Sequence, residues 1–192
     1  RLARTVRQAC EATGRRARLD FVGGAVMLDD HVVNDLVNPI AHLLRNAVSH
    51  GIETPEEREG LGKPKDGTVR IVFAREGNNV VIRCEDDGAG LNLHRIYSLA
   101  VDRGLVAEGA NLGEGEIARL IFLPGFSTSE SVTEVSGRGV GMDIVHSALR
   151  KLKGSVEIQT FAGKGCRFTL RLPLTLGSAH CLLVKSADTL VA

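Results

Sequence analysis

The sequence predicts an α+β fold, a two-layer α/β sandwich in which a mixed, partly antiparallel sheet is covered by helices on one face. Segments with helical spacing alternate with β-branched, strand-like segments along the 192 residues. Three connections between them resemble hairpins or long loops rather than helical crossovers. This pattern favours the mixed sheet over a doubly wound parallel one.

The composition restricts the classes of function. The chain has 24 basic and 23 acidic residues, so we expect neither a nucleic-acid surface nor a polybasic membrane anchor. It has no apolar run near the roughly 18 residues of a membrane span and no signal peptide, which predicts a cytoplasmic protein without direct membrane insertion. Its four cysteines lack a CxxC pair and are expected to be buried free thiols rather than zinc ligands or disulfides.

The first third of the chain predicts two helices around one strand. Residues 1–14 have helical spacing with a Gly stop, and RRARLDFVGG alternates as a strand. A helical segment runs from about residue 30 to 50 and contains Asn38 and Pro39. The proline predicts either a kink or a new helix start with Asn38 as N-cap.

The middle of the chain predicts a capped turn, a hairpin and a helix. TPEEREGLGKPKDG is a polar excursion in which Thr54 and Glu57 have capping-box spacing. TVRIVFAREGNNVVIRCEDDGAG reads as two strands joined at residues 76–79, and the second strand ends on acidic residues. A helix is expected from about Asn92 to Arg103.

The last part predicts a long loop, a helix and a second hairpin. Residues 104–136 hold one short helical patch, GEIARLIF, and the length of this loop-rich segment favours a mobile lid. An apolar helical stripe begins at Val140 and is expected to end at Gly154. SVEIQTF and CRFTLRL then predict paired strands, and GSAHCLLVKSADTLVA predicts strands of a further domain.

Residues 137–142, GRGVGM, carry three alternating glycines. The spacing is neither the GxGxxG of a dinucleotide site nor the Gly-Lys-Ser/Thr ending of a P-loop. Two interpretations stay open. The loop either holds a phosphate on backbone N–H groups and the following helix N-terminus, or it is a plain glycine turn.

The segment HLLRNAVSH places His42, Asn46 and His50 on one side of a helix, with Arg45 and Ser49 beside them. An asparagine oxygen suits Mg²⁺, which shares its other ligands with phosphates, and a histidine one turn away can take or orient a proton. The alternative is an ordinary polar face on which His50 caps the helix.

Two shorter motifs complete the set. EDDGAG, residues 85–90, ends a strand, where a carboxylate can accept from an amine such as adenine N6 and glycines admit a flat base. The alternative is an acidic turn. FSTS, residues 126–129, combines an apolar anchor with hydroxyls and indicates little alone. The order of the four motifs along the chain carries more weight than any one of them.

In this order, the motifs resemble the Bergerat ATP-binding fold of histidine kinases, gyrase-type ATPases, Hsp90 and MutL, and within it the CheA-type chemotaxis histidine kinases. HLLRNAVSHGIETPEEREGLGKP is similar to the asparagine box, EDDGAGL to the first glycine box, FLPGFSTSESVTEVSGRGVGMDIV to the lid and second glycine box, and RLPLTL to the exit. The resemblance implies that residues 14–176 are an ATP-binding catalytic domain with a mobile ATP lid. Residues 1–13 would end a dimerisation helix, and 177–192 would begin a truncated CheW-like regulatory domain.

The resemblance also implies roles for single residues. Asn46 would coordinate Mg²⁺, His42 would be the basic catalytic group and Asp86 would read the adenine amine. Ser49 stands where CheA-type proteins commonly have Asp, so one negative charge near the metal is missing. The further nucleotide contacts implied are Arg45, His50, Gly88, Gly90, Arg95, the lid residues Ser127 and Thr128, and Gly137, Gly139, Gly141 and Met142 along the triphosphate.

The cofactors implied are ATP and Mg²⁺, and the implied activity is that of a protein-histidine kinase. None of the six histidines lies in a sequence resembling a phosphoacceptor, so the acceptor would be a histidine phosphotransfer domain, usually of the same full-length protein, with a response regulator downstream. A homodimer, a CheW-like coupling protein and chemoreceptors would be reached through neighbouring domains. The alternatives are a nucleotide-binding pseudokinase that acts as a scaffold and a gyrase- or MutL-type ATPase that uses water as acceptor.

Overall fold

The computed structural model describes residues 1–23, 28–124, 126 and 141–174, and the backbone of 184–186 and 189–191. The predicted contacts Ser127, Thr128, Gly137 and Gly139 lie outside these residues. The helices described are α1 Leu2–Thr13, α2 Asp30–Asn46, α3 Pro55–Gly60, α4 Leu93–Asp102, α5 Glu114–Arg119 and α6 Asp143–Lys151, with a π turn at Ala47–Gly51 and a 3₁₀ turn at Leu120–Phe122. The strands described are β1 Ala17–Val22, β2 Gly67–Glu76, β3 Asn79–Asp86, β4 Ser155–Phe161, β5 Gly165–Pro173, β6 Val184–Ser186 and β7 Thr189–Val191.

The first five strands form one mixed sheet in the order β1-β2-β3-β5-β4. β1 runs parallel to β2, and the other neighbours are antiparallel. β6 and β7 pair as a separate antiparallel ribbon. The mixed, partly antiparallel sheet predicted from the connections is therefore confirmed, and so are both hairpins.

The sheet separates an apolar face from a charged face. On the charged face Glu76 pairs with Arg83 and Arg171, and Glu85 pairs with Arg167. Exposed pairs of this kind contribute little to stability, so the apolar layer between sheet and helices holds the fold together. The largest buried side chains of that layer include Val69, Ile71, Leu170 and Leu172 from the sheet and Leu43, Leu44 and Leu149 from the helices.

Helix α1 ends as predicted, since Gly14 adopts a left-handed conformation with φ 66°. Val6 and Ala9 are buried, and the helix packs against α2 and β1. Helix α1 thus contributes to the same apolar core as the helices and strands that follow it. Its assignment to the end of a dimerisation helix stays a prediction. Within the described chain, every helix is too short or too polar to cross a bilayer.

Helix α2 runs continuously through Pro39, so the alternative of a new helix capped by Asn38 is wrong. A proline inside a helix removes one hydrogen bond at a cost of about 3 kcal/mol. Pro39 is itself buried here, in a stripe with Leu36, Ile40 and Leu43. This tertiary packing offsets the lost bond, which no local signal could have revealed.

Helix α6 ends at Lys151, three residues before the predicted Gly154. The left-handed residue beyond it is Lys153, with φ 53°. Gly154 has a different reason to be glycine, because a Cβ there would lie 2.5 Å from the carbonyl oxygen of Arg171 in β5. Gly154 is therefore required for close packing of the helix end on the sheet, and not for the turn.

Candidate functional site

Three of the predicted motifs converge at one end of the sheet. Asn46 ends α2, Asp86 ends β3, and Met142 directly precedes α6. The Asn46 Nδ2 lies 3.0 Å from the Met142 Sδ. A Cβ on Gly51, in the turn after Asn46, would lie 3.2 Å from the Asp86 Oδ1. The asparagine helix, the acidic strand end and the last residues of the glycine loop thus border one region.

The side-chain amide of Asn46 has a defined orientation. Its Nδ2 lies 3.0 Å from the His42 Nε2 and donates to the thioether of Met142. A thioether accepts but cannot donate, so the amide nitrogen must face Met142 and the carbonyl oxygen must point away from it. Asn46 is consequently able to present a hard oxygen ligand.

His42 is a neutral imidazole in this arrangement. Burial, followed by the positive charge of Arg45, lowers the pKa of His42 below its usual value of 6.5. Because its Nε2 accepts from the Asn46 amide, the ring proton is on Nδ1. A neutral histidine with its lone pair on Nε2 is the form that can accept a proton.

His50 lies in the π turn, in a cationic environment. Although His50 is largely exposed, partial desolvation and then the charges of Arg15 and Arg95 lower its pKa. The Arg15 guanidinium donates to the carbonyl oxygen of Ser49 in the same turn. The predicted phosphate contacts Arg95 and His50 therefore lie within electrostatic reach of each other.

The Asp86 carboxylate is held by backbone donors. Its Oδ1 accepts from the N–H groups of Gly88 at 3.0 Å and Cys166 at 3.3 Å. Burial nevertheless raises the pKa of Asp86 from 3.8 to about 6, because desolvation outweighs these two bonds. Oδ1 is thereby engaged by the protein, whereas Oδ2 accepts no hydrogen bond within the described part of the chain. Cys166 was not among the predicted site residues, since its contribution is a backbone N–H.

The two glycines after Asp86 are required by close backbone packing. A Cβ on Gly88 would lie 2.1 Å from the carbonyl oxygen of Gly51, and Ala89 donates to that oxygen at 2.9 Å. Gly90 has φ 82°, and a Cβ there would lie 2.7 Å from the Phe161 carbonyl oxygen. The contacts of Gly88 and Gly90 with a nucleotide stay predictions.

The described residues at the two ends of segment 127–140 lie side by side. A Cβ on Gly141 would lie 3.2 Å from the carbonyl oxygen of Phe126. Phe126 is 2% exposed, and the Arg103 guanidinium lies over its ring at 5.4 Å from the centroid. Phe126 is thus the apolar anchor that the FSTS motif predicted.

A charged cluster around the buried Arg58, next to Asp86, was not predicted from the sequence. Arg58 is 0% exposed and pairs with Glu53 and Asp87. The capping box of Thr54 and Glu57, which was predicted, orients the short helix that carries Arg58. Nothing in the sequence separates this arginine from its exposed neighbours, because charged residues are rarely fully buried.

The donor set fits a magnesium ion shared with phosphates. Among the described residues no three His, Cys, Asp or Glu side chains are grouped to hold a metal on their own. Mg²⁺ prefers oxygen ligands and commonly takes one or two protein groups, keeping phosphates and waters as the rest. The Asn46 amide oxygen meets that requirement. Cys84 and Cys166 are buried free thiols as predicted, whereas the free thiol Cys10 is only partly buried. Cys181 lies outside the described residues.

The family model of histidine kinase-, DNA gyrase B-, and HSP90-like ATPases matches residues 34–176. The chain is 42% identical over 188 residues to the chemotaxis protein CheA of Rhizobium meliloti, covering 98% of this chain and 25% of that protein. It is 44% identical over 185 residues to the chemotaxis protein CheA of Treponema pallidum, covering 96% of this chain and 23% of that protein.

The chain therefore spans about a quarter of the length of these relatives. Among solved structures, the Erythrobacter litoralis EL346 blue-light activated histidine kinase matches with a TM-score of 0.53 and 15% identity, over 90% of this chain and 40% of that one. At this identity the match supports the fold alone.

Proposed function

The chain belongs to the family of histidine kinase-, DNA gyrase B-, and HSP90-like ATPases, and from this we propose that it is the catalytic domain of a CheA-type protein-histidine kinase. It would bind ATP with Mg²⁺ and transfer the γ-phosphoryl group to a histidine on a separate phosphotransfer domain in a chemotaxis-type two-component pathway. The observation that carries the proposal is the convergence of Asn46, Asp86 and Met142 on one region.

At the adenine end, Asp86 would recognise the exocyclic amine. Its Oδ1 is engaged by the backbone of Gly88 and Cys166, so we assign Oδ2 to the amine. Asp86 can accept a charge-assisted hydrogen bond from the amine only when its carboxyl group is ionised. Adenine recognition at this atom therefore depends on the protonation state of Asp86.

At the phosphate end, Asn46 would hold Mg²⁺ through its amide oxygen, and the metal would supply charge neutralisation for the phosphates. His42, neutral and accepting at Nε2, would take or orient a proton there. Arg45, His50 and Arg95 would lie along the phosphates, and Gly141 and Met142 would line the triphosphate. Phosphoryl transfer relies on positioning and electrostatics, and these residue types supply both.

The proposed partners are those implied by the resemblance to full-length CheA-type kinases. They are the phosphotransfer domain, a response regulator, a CheW-like coupling protein with chemoreceptors, and a second copy joined through a dimerisation domain. A pseudokinase scaffold is the second candidate, favoured by Ser49 at a position commonly held by Asp. A gyrase- or MutL-type ATPase is not favoured, because relatives that match nearly the whole chain are named chemotaxis proteins.

The test is transfer of label from γ-labelled ATP, in the presence of Mg²⁺, to the phosphotransfer domain of the same full-length protein. We expect an acid-labile, base-stable label on that domain, abolished in Asn46→Asp, since a carboxylate cannot donate to His42 or Met142 as the amide does. Asn78→Asp, in the exposed β2–β3 turn, is the matched control and should transfer normally. ATP binding without labelled acceptor would favour the scaffold, and hydrolysis without an acceptor would favour the ATPase.

A further inference from the structure

An ionic cluster, in which Arg58 and Glu53 are buried and Lys63 and Asp87 are partly exposed, lies next to the strand end that carries Asp86. We call the set Glu53, Arg58, Lys63 and Asp87 the rear cluster. Arg58 is 0% exposed and Glu53 is 8% exposed. Formal charges balance within it, two positive and two negative, as buried charges require.

One half of the rear cluster neutralises Glu53. The Arg58 Nη1 donates to its Oε2 at 2.9 Å, and the Lys63 Nζ donates to its Oε1 at 2.5 Å. Burial alone would raise the pKa of Glu53, but hydrogen bonds from Lys63 and Arg58 hold it below the usual value. Glu53 is therefore ionised and keeps both cations in place.

The other half holds the backbone after Asp86. The Arg58 Nη2 donates to the Asp87 Oδ2 at 3.1 Å and its Nη1 to the Asp87 carbonyl oxygen at 3.3 Å. The Lys63 Nζ donates to the carbonyl oxygens of Asp87 at 3.1 Å and Gly88 at 3.0 Å. From the sheet side, the Thr68 N–H donates to the Asp87 Oδ1 at 2.8 Å.

These bonds determine where the Asp86 carboxylate lies. With the carbonyl oxygens of Asp87 and Gly88 drawn toward the two cations, the peptide N–H of Gly88 faces forward and donates to the Asp86 Oδ1. That bond commits Oδ1 and leaves Oδ2 as the oxygen for the proposed contact with the adenine amine. A buried ion cluster is weak as a source of stability compared with apolar packing, so its value at this place is positional.

We propose that Arg58, with Lys63, is a positioning residue for adenine recognition, which sets the orientation of the Asp86 carboxylate from behind without touching the nucleotide. The inference rests on the proposed function, because it presupposes that Asp86 reads adenine. It assigns specificity to a helical turn, α3, that lies outside the predicted nucleotide contacts.

The test compares ATP with purine riboside triphosphate, which lacks the 6-amino group, by calorimetric titration at pH 8. The unmodified chain should prefer ATP by roughly tenfold or more, the value of a charge-assisted hydrogen bond. Arg58→Met should lose most of that preference, with ATP weakened roughly tenfold and the analogue changed by less than about twofold. Arg167→Met, which removes an exposed arginine paired with Glu85 on the charged face, is the matched control and should keep the preference.

The outcomes separate the two levels of inference. Retained preference for ATP in Arg58→Met, or equal weakening of both nucleotides, would overturn the positioning role. Absence of preference in the unmodified chain would overturn adenine reading by Asp86 itself. If thermal melting shows that Arg58→Met does not fold, Lys63→Met, at a partly exposed side chain, removes the bonds to the two carbonyl oxygens. Its preference for ATP should then fall in the same way, and an unchanged preference would refute the proposal.

Discussion

Replacing Asp86 by asparagine should reverse the hydrogen-bonding character of the base pocket. In the structure the Asp86 Oδ1 accepts from Gly88 and Cys166 at 3.0 and 3.3 Å. An asparagine must keep its oxygen at that place, because an amide nitrogen there would face two N–H donors. The NH₂ group is thereby directed to the position of Oδ2, where the proposed ligand group, the adenine amine, is also a donor.

The magnitude follows from the bond that is lost. A hydrogen bond to a charged group contributes about 1.5–3 kcal/mol, so ATP should bind Asp86→Asn roughly 10- to 150-fold more weakly. Inosine triphosphate, whose 6-oxo group accepts, should gain affinity relative to ATP in the same variant. Folding should not suffer, since the substitution removes a carboxylate whose pKa burial has raised to about 6.

The assay is nucleotide titration at pH 8, where Asp86 of the unmodified chain is ionised, with thermal melting as a check on folding. Glu85→Gln is the control, because Glu85 is the neighbouring acid on the opposite, charged face and pairs with Arg167. Unchanged ATP affinity in a folded Asp86→Asn chain would refute the assignment. Equal losses for ATP and inosine triphosphate would refute the orientation argument.

Three further predictions follow. Because the pKa of Asp86 is raised to about 6, the preference for ATP over purine riboside triphosphate should fall roughly tenfold from pH 8 to pH 5, and a pH-independent preference would contradict this. The contribution of Asp86 to stability is full below its unfolded pKa of 3.8 and is lost as pH rises through about 6. Met142→Leu keeps the apolar volume but removes the acceptor for the Asn46 amide, so the Mg²⁺ concentration needed for half-maximal phosphotransfer should rise roughly two- to tenfold. An unaltered Mg²⁺ requirement would refute that role. Leu44→Ala, at a side chain 0% exposed, should lower the free energy of unfolding by about 2–5 kcal/mol in urea titration, whereas Val33→Ala, at a residue 42% exposed on the same helix, should lower it much less.

The face of the sheet on which Asp86 lies follows from the alternation of side chains along a strand. Cys84 and Asp86 are two apart in β3 and must share a face, whereas Glu85 must take the other. The structure has Cys84 buried in the core and Glu85 paired with Arg167 on the charged face. Once EDDGAG is recognised as a strand end, alternation therefore puts Asp86 on the core face, whereas its role with adenine was implied only by the resemblance to CheA-type kinases.

Other parts depend on packing that no local pattern encodes. Pro39 is tolerated inside α2 because it is buried, and Arg58 is buried because its partners Glu53 and Asp87 come from other segments. Both violate the usual preference of their residue type. The sequence carries the residue types in each case, but only tertiary contacts decide which preference is overridden.

The number of residues in the π turn Ala47–Gly51 determines the orientation of the residues that follow it. The Ile52 N–H donates to the Ala47 carbonyl oxygen at 2.7 Å, so the turn closes over one residue more than an α-helical turn. Deleting a single residue would restore the α-helical pattern and rotate every later group by about 100°. The Gly51 carbonyl that holds Ala89 would then face elsewhere. A substitution in this turn keeps the spacing between Asn46 and Gly51, whereas an insertion or deletion would displace Asn46 relative to Asp86.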